Sequence, residues 1–93
     1  MQSAIRDNIV YVQGEVSVQT VDKTTLAQFV QQCGQPEIHA MDCSQITRAD
    51  SACLSLLLTA LRQREQGSLK IHNLPPSVRD LAQLYEIEEW ITA

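Results

Sequence analysis

Four aromatic side chains in 93 residues (Phe29, Tyr11, Tyr85 and Trp90) cannot carry a core, so any core must be built from aliphatic groups. Basic residues are scarce as well: seven Lys and Arg stand against eleven Asp and Glu, a net charge of −4. Nucleic-acid phosphates attract basic surfaces, so this balance argues against a nucleic-acid partner. It argues equally against electrostatic docking on anionic lipid. Long hydrophobic runs are missing too. The most apolar stretch, Ala52 to Leu61, is broken by Ser55 and Thr59 and falls far short of the roughly 20 residues of a membrane span. No basic-then-apolar leader opens the chain. The expectation is a soluble, cytoplasmic protein without direct membrane insertion.

Other absences bear on chemistry. The three glycines form no Gly-rich phosphate loop. His39 and His72 have no carboxylate or cysteine at ligand spacing, so no metal, cofactor or catalytic residue is expected. Cys33, Cys43 and Cys53 are odd in number and lack a CxxC pair, which favours free thiols in a reducing compartment. Each lies on or beside an apolar stretch, where cysteine packs as a small hydrophobe.

What is present fits one folded domain over residues 1–93, with 44% hydrophobic and 19% charged residues. Ser3 to Gln13 reads as a hairpin turning at Asp7-Asn8, with Gly14 ending its second strand. Val16 and Val18 are expected to anchor the next crossover on the core. A helix from Thr20 or Asp22 to Cys33 follows, with Leu26, Phe29, Val30 and Cys33 as its stripe and Gly34 as its stop. Glu37 to Asp42 reads as a strand, and Asp42 is expected to bond loop N–H groups.

The centre of the chain runs from Met41 to Leu58. It reads as a strand end, a polar loop over Ser44 to Asp50, and a helix from Ser51 to Gln66 that closes at Gly67. Ser51 is the expected N-cap. Cys53, Leu54, Leu57, Leu58 and Leu61 form the core face. Ala52, Ser55, Leu56, Thr59 and Gln63 fall opposite, leaving Leu56 as an exposed leucine in a patch of small and polar neighbours. Arg62 and Arg64 suit the negative end of the helix dipole. Ser68 to His72 reads as a last strand and Pro76 to Tyr85 as a helix with Val78, Leu81, Ala82 and Tyr85 inward. Residues Glu86 to Ile91, including Trp90, read as a short cap over the core. The order β-β-α-β-α-β-α predicts an α/β mixed sheet of about four strands, with three helices on one side.

Three stretches carry a resemblance. Ile9-Val10-Tyr11-Val12-Gln13-Gly14-Glu15-Val16 is similar to the second strand and Gly-Glu turn of the STAS domain. Met41-Asp42-Cys43-Ser44, Ile46 and Ala49-Asp50-Ser51 resemble that family's loop before its central helix. Leu81-Ala82-Gln83-Leu84-Tyr85-Glu86-Ile87 most resembles the MlaB branch, the STAS subunits of Mla-type phospholipid-transport ABC complexes. Ala52-Cys53 stands where the family usually has a small residue followed by glycine.

The resemblance implies an anti-sigma factor antagonist-like fold and a non-catalytic role. In the MlaB branch it implies binding to an MlaF-like ABC ATPase subunit and, through it, to the permease. The protein would then lie at the cytoplasmic face of the inner membrane and help maintain outer-membrane lipid asymmetry. The alternative it implies is an anti-sigma factor antagonist switched by phosphorylation of Ser51, with sensing of a nucleotide or small ligand at the helix start as a variant. On each reading the surface expected to meet the partner comprises Ser44, Thr47, Arg48, Asp50, Ser51, Ala52, Ser55, Leu56 and Thr59.

Overall fold

A computed structural model describes residues 1–64 and 68–85. Its elements are β1 (Gln2–Arg6), β2 (Ile9–Val16), α1 (Lys23–Cys33), β3 (Ala40–Ala49), α2 (Ser51–Arg62), β4 (Lys70–His72) and α3 (Pro76–Leu84). The four strands lie in the order β1-β2-β3-β4. The first pair is antiparallel and the other two are parallel. Asp7 and Asn8 make the hairpin turn with φ of 52° and 63°. Two positive φ values are what a two-residue turn matched to strand twist requires.

Each parallel pair is joined by a helix, and the right-handed preference of such crossovers brings α1 and α2 to the same face of the sheet. There they touch each other, and α2 touches α3. Beneath them, Val10 and Val12 of β2 and Met41 and Cys43 of β3 are fully or almost fully buried. Phe29, Leu57 and Val78 meet them from the three helices. Among the described residues the core is aliphatic apart from Phe29, Met41 and the three cysteines, and burying Phe29 stabilises by about 1.5–3 kcal/mol over leaving it in water.

β3 departs most from the sequence reading. The expected strand over Glu37 to Asp42 starts later, at Ala40, and continues through the supposed polar loop to Ala49. Its register explains why alternation did not reveal it. Tyr11 pairs with Asp42 and Gln13 with Gln45; Gly14 then pairs with Ile46 and Glu15 with Arg48. At both steps β3 carries one residue more than β2, so period-two patterning is broken twice. Gly14 does not end β2. It lies inside the strand at φ 85° beside the second irregularity, a conformation glycine adopts without penalty.

Other expectations are adjusted. Asp22 caps α1 in a reciprocal box: its carboxylate accepts from the Thr25 N–H, and the Thr25 hydroxyl accepts from the Asp22 N–H. Gly34 does cap this helix, but in right-handed conformation at φ −81°. Tyr85, expected inward, is 56% exposed. The predicted α2 terminus at Gln66 and Gly67, and the cap over Glu86 to Ile91, lie outside the described residues.

Helix α2 ends at Arg62, with Gln63 as its C-cap. Arg64 then turns away from the helix axis. Its guanidinium donates to the carbonyls of Cys33 (3.3 Å), Gln35 (3.1 Å), Pro36 (3.4 Å) and Ile38. Those carbonyls belong to the end of α1 and the α1–β3 connection, so one cation ties that turn to the end of α2. Arg64→Ala is expected to lower stability by about 2 kcal/mol, the scale of hydrogen bonds to a charged donor. Arg64→Lys should recover only part of it, because an ammonium lacks the planar fork. Urea denaturation of the three proteins measures both effects.

Candidate functional site

The site is built where β3 runs straight into α2. Asp50 joins the two, with extended backbone (φ −124°, ψ −162°). One carboxylate oxygen accepts from the Ala52 N–H at 2.8 Å and so caps α2. The other accepts from the Val18 N–H at 3.3 Å, and Val18 lies in the β2–α1 connection. Ser51, the expected N-cap, is already helical, and its side chain is exposed. The carboxylate takes the capping role because β3 stays extended to Ala49, leaving Asp50 as the last non-helical residue.

The β2–α1 connection is cross-bonded. The Ser17 hydroxyl donates to Glu15 Oε2 at 2.7 Å and accepts from the Gln19 N–H at 3.3 Å. The Ser17 N–H donates to Thr20 Oγ1, and that hydroxyl donates to the Glu15 carbonyl at 2.7 Å. The Thr20 and Val21 N–H groups both donate to the Ser17 carbonyl. Val16 is fully buried as expected, but Val18 is not on the core: it is 74% exposed. Two residues further along an extended chain would share Val16's direction, whereas the bonded turn that starts at Ser17 redirects Val18 to solvent.

Val18 stands between two depressions. The first is an apolar groove of about 360 Å³ between the start of α2 and α1, lined by Val18, Val21, Leu26, Ser51, Ala52, Ser55, Leu56 and Thr59. The second is polar, about 350 Å³, and lined by Glu15, Ser17, Val18, Gln19, Arg48, Ala49 and Asp50. Leu56 is not the exposed leucine expected from the helical wheel. It is 2% exposed and forms the floor of the groove. A wheel places it opposite Leu54; the neighbouring α1, invisible in α2's own periodicity, covers it. Leu58, assigned to the core face, is the half-buried one.

The expected partner-binding residues therefore divide. Ser51, Ala52, Ser55, Leu56 and Thr59 share the apolar groove, and Arg48 and Asp50 share the polar depression. Ser51 and Ser55 are exposed. The Thr59 hydroxyl is turned back onto the Ser55 carbonyl at 2.8 Å, so it serves its own helix. Ser44 and Thr47 line neither depression, although both are exposed on β3. Ser44 instead donates its N–H to Asp42 Oδ1 at 2.7 Å, and Asn73 Nδ2 donates to Asp42 Oδ2 at 3.0 Å. Burial alone would push the Asp42 carboxyl up. The hydrogen bonds from Ser44 and Asn73, aided by His72, outweigh it and hold the group below its ordinary value. Asp42 was expected to bond loop N–H groups from the end of a strand; it lies inside β3 instead, and its donors are the N–H of a residue of the same strand and the side chain of Asn73 beyond β4. Lining residues that sequence reasoning missed are Val18, Val21, Leu26, Glu15, Ser17, Gln19 and Ala49; Glu15 and Ser17 could have been found from their position where β2 ends, whereas Val21 and Leu26 enter only through the packing of α1 beside α2.

Burial pushes all three thiols up, Cys33 and Cys43 to about 12 and Cys53 to about 11, with nearby acidic groups adding to the effect for the last two. Protonated, buried thiols are poor nucleophiles. Among the described residues no cluster of His, Cys, Asp and Glu could hold a metal, and no helix is long and apolar enough to cross a membrane.

Two predictions follow from this geometry. Asp50→Ala should cost about 1–2 kcal/mol as a lost cap, whereas Ser51→Ala should stay within about 0.5 kcal/mol; thermal melts distinguish them. Unfolded thiols release protons near pH 9 while the folded ones hold theirs to about 11 or 12. The folded state then binds more protons than the unfolded one, so stability should fall as pH rises through that window. Urea midpoints between pH 8 and 11 follow that fall.

Residues 7–92 match the family model described as "Mlab, STAS domain". Among solved structures, the chain is similar to the anti-sigma factor antagonist SpoIIAA in its unphosphorylated form. The TM-score is 0.67 and the identity 19%, over 98% of this chain and 84% of that one. At that identity the likeness is one of fold. No curated protein matches the chain.

Proposed function

The chain belongs to the STAS domain family, and from that premise we propose that it is a non-catalytic subunit that binds and supports the ATPase of a Mla-type ABC phospholipid transporter. The observation that carries this reading is the apolar groove at the start of α2, floored by Leu56 and edged by the exposed Ser51 and Ser55. A groove of this kind offers a neighbouring protein apolar contact at its centre and hydrogen-bonding groups at its rim, which is how protein interfaces are arranged. Nothing there supplies a base, an activated nucleophile or a buried cation. The MlaB description of the matching family favours an ATPase partner. Through it the subunit would reach the permease and lie at the cytoplasmic face of the inner membrane, in a complex that maintains outer-membrane lipid asymmetry.

A second reading has its own observation. Because Asp50 does the capping, the Ser51 side chain is exposed and available to a kinase. Phosphate there would add about −1.5 to −2 charge at the rim of the groove and next to Asp50. An anti-sigma factor antagonist switched at Ser51 would use that repulsion to release its partner.

Affinity purification from native cells tests the two readings. Recovery of an ABC ATPase with an integral permease supports the transporter subunit; recovery of a serine kinase without them supports the switch and rejects it. Ser51→Glu is expected to reduce recovery of the ATPase while leaving the melting temperature within a few degrees, since a carboxylate is tolerated in the first turn of a helix. Leu56→Asp cannot serve as a surface probe, because burying its charge would unfold the domain.

A further inference from the structure

We propose that Val18 is the anchor of the partner interface, inserting into an apolar socket on the ATPase subunit that has a lysine or arginine at its edge. The inference rests on the transporter reading above and names the chemistry of the surface that meets it. A single exposed valine ordinarily means nothing. Val18 differs in how it is held. Its own N–H is bonded to Asp50, and the residues on either side are tied by Ser17 and Thr20. A loop free to turn an apolar side chain inward has instead been locked with that side chain 74% exposed. Such a knob is ordered before binding, so little conformational entropy is lost on docking.

Its surroundings specify the partner. On one side lies the apolar groove, which extends the contact; on the other lie the Glu15 and Asp50 carboxylates with Arg48 as the one cation. Two carboxylates against one guanidinium, on a chain of net charge −4, favour a cation beside the socket. Asp50 also ties the knob to the groove, since the same carboxylate holds Val18 and the first turn of α2. Knob and Ser51 are thereby presented as one rigid surface.

The test uses the ABC ATPase that the wild-type chain recovers from native cells, purified and titrated against variants of this chain. Val18→Ala should weaken binding about fivefold or more and Val18→Asp much further, in the range of interface anchors. Val18→Ile, which keeps the knob apolar, should bind like wild type. Melting temperatures should be unchanged throughout, as the side chain is mostly in solvent. If Ser55→Asp abolishes binding while Val18→Asp binds as tightly as wild type, the platform stands and the anchor is overturned. If the wild-type chain recovers no ABC ATPase, the transporter reading falls and the anchor falls with it.

Discussion

One carboxylate organises the candidate site. Asp50 receives the Ala52 N–H with one oxygen and the Val18 N–H with the other, fixing the start of α2 against the β2–α1 connection. The helix start has backbone donors without intrahelical partners, and the connection is a surface turn. Bonding both to one side chain at the end of the central strand makes them a single surface, and the two depressions are its consequence.

The surface presents an apolar groove with the exposed Ser51 and Ser55 hydroxyls along it. Catalytic centres hold groups whose protonation is tuned toward reactivity and which face one another across a cleft. Here, among the described residues, the shifted groups are thiols pushed to about 11 or 12, an Asp22 carboxyl held down by hydrogen bonds from Thr25, and an Asp42 carboxyl held down by hydrogen bonds from Ser44 and Asn73, and none of them lines either depression. The exposed hydroxyls of Ser51 and Ser55 have no base positioned on them among the described residues. Arg64, which might look like a second site of binding charge, is committed to the carbonyls of the α1–β3 connection.

Several elements were legible in the sequence because local rules governed them. The Asp7-Asn8 turn, the Asp22 cap (one of two the sequence offered, with Thr20) and the Leu26–Cys33 stripe are short-range features whose preferences act within a few residues. The start of the central helix at Ser51 was legible for the same reason. The composition of the site was only partly so. β3 beyond Asp42 was hidden because two extra residues break its alternation, and that misplaced the cap by one residue, from Asp50 to Ser51. Leu56 was assigned to the outside because a helical wheel knows nothing of the helix packed beside it.

By itself the sequence determined the order of the elements, the largely aliphatic core and the buried thiols. Each of these follows from periodicity, turn chemistry or composition, which act over short stretches of chain. Only the tertiary structure decided that Val18 faces solvent, that Leu56 does not, and that Asp50 bonds both sides of the site. Those outcomes depend on residues 32 positions apart in the chain meeting in space. A meeting of that kind is set by the packing of α1 and α2 on one face of the sheet, which leaves no local pattern to read.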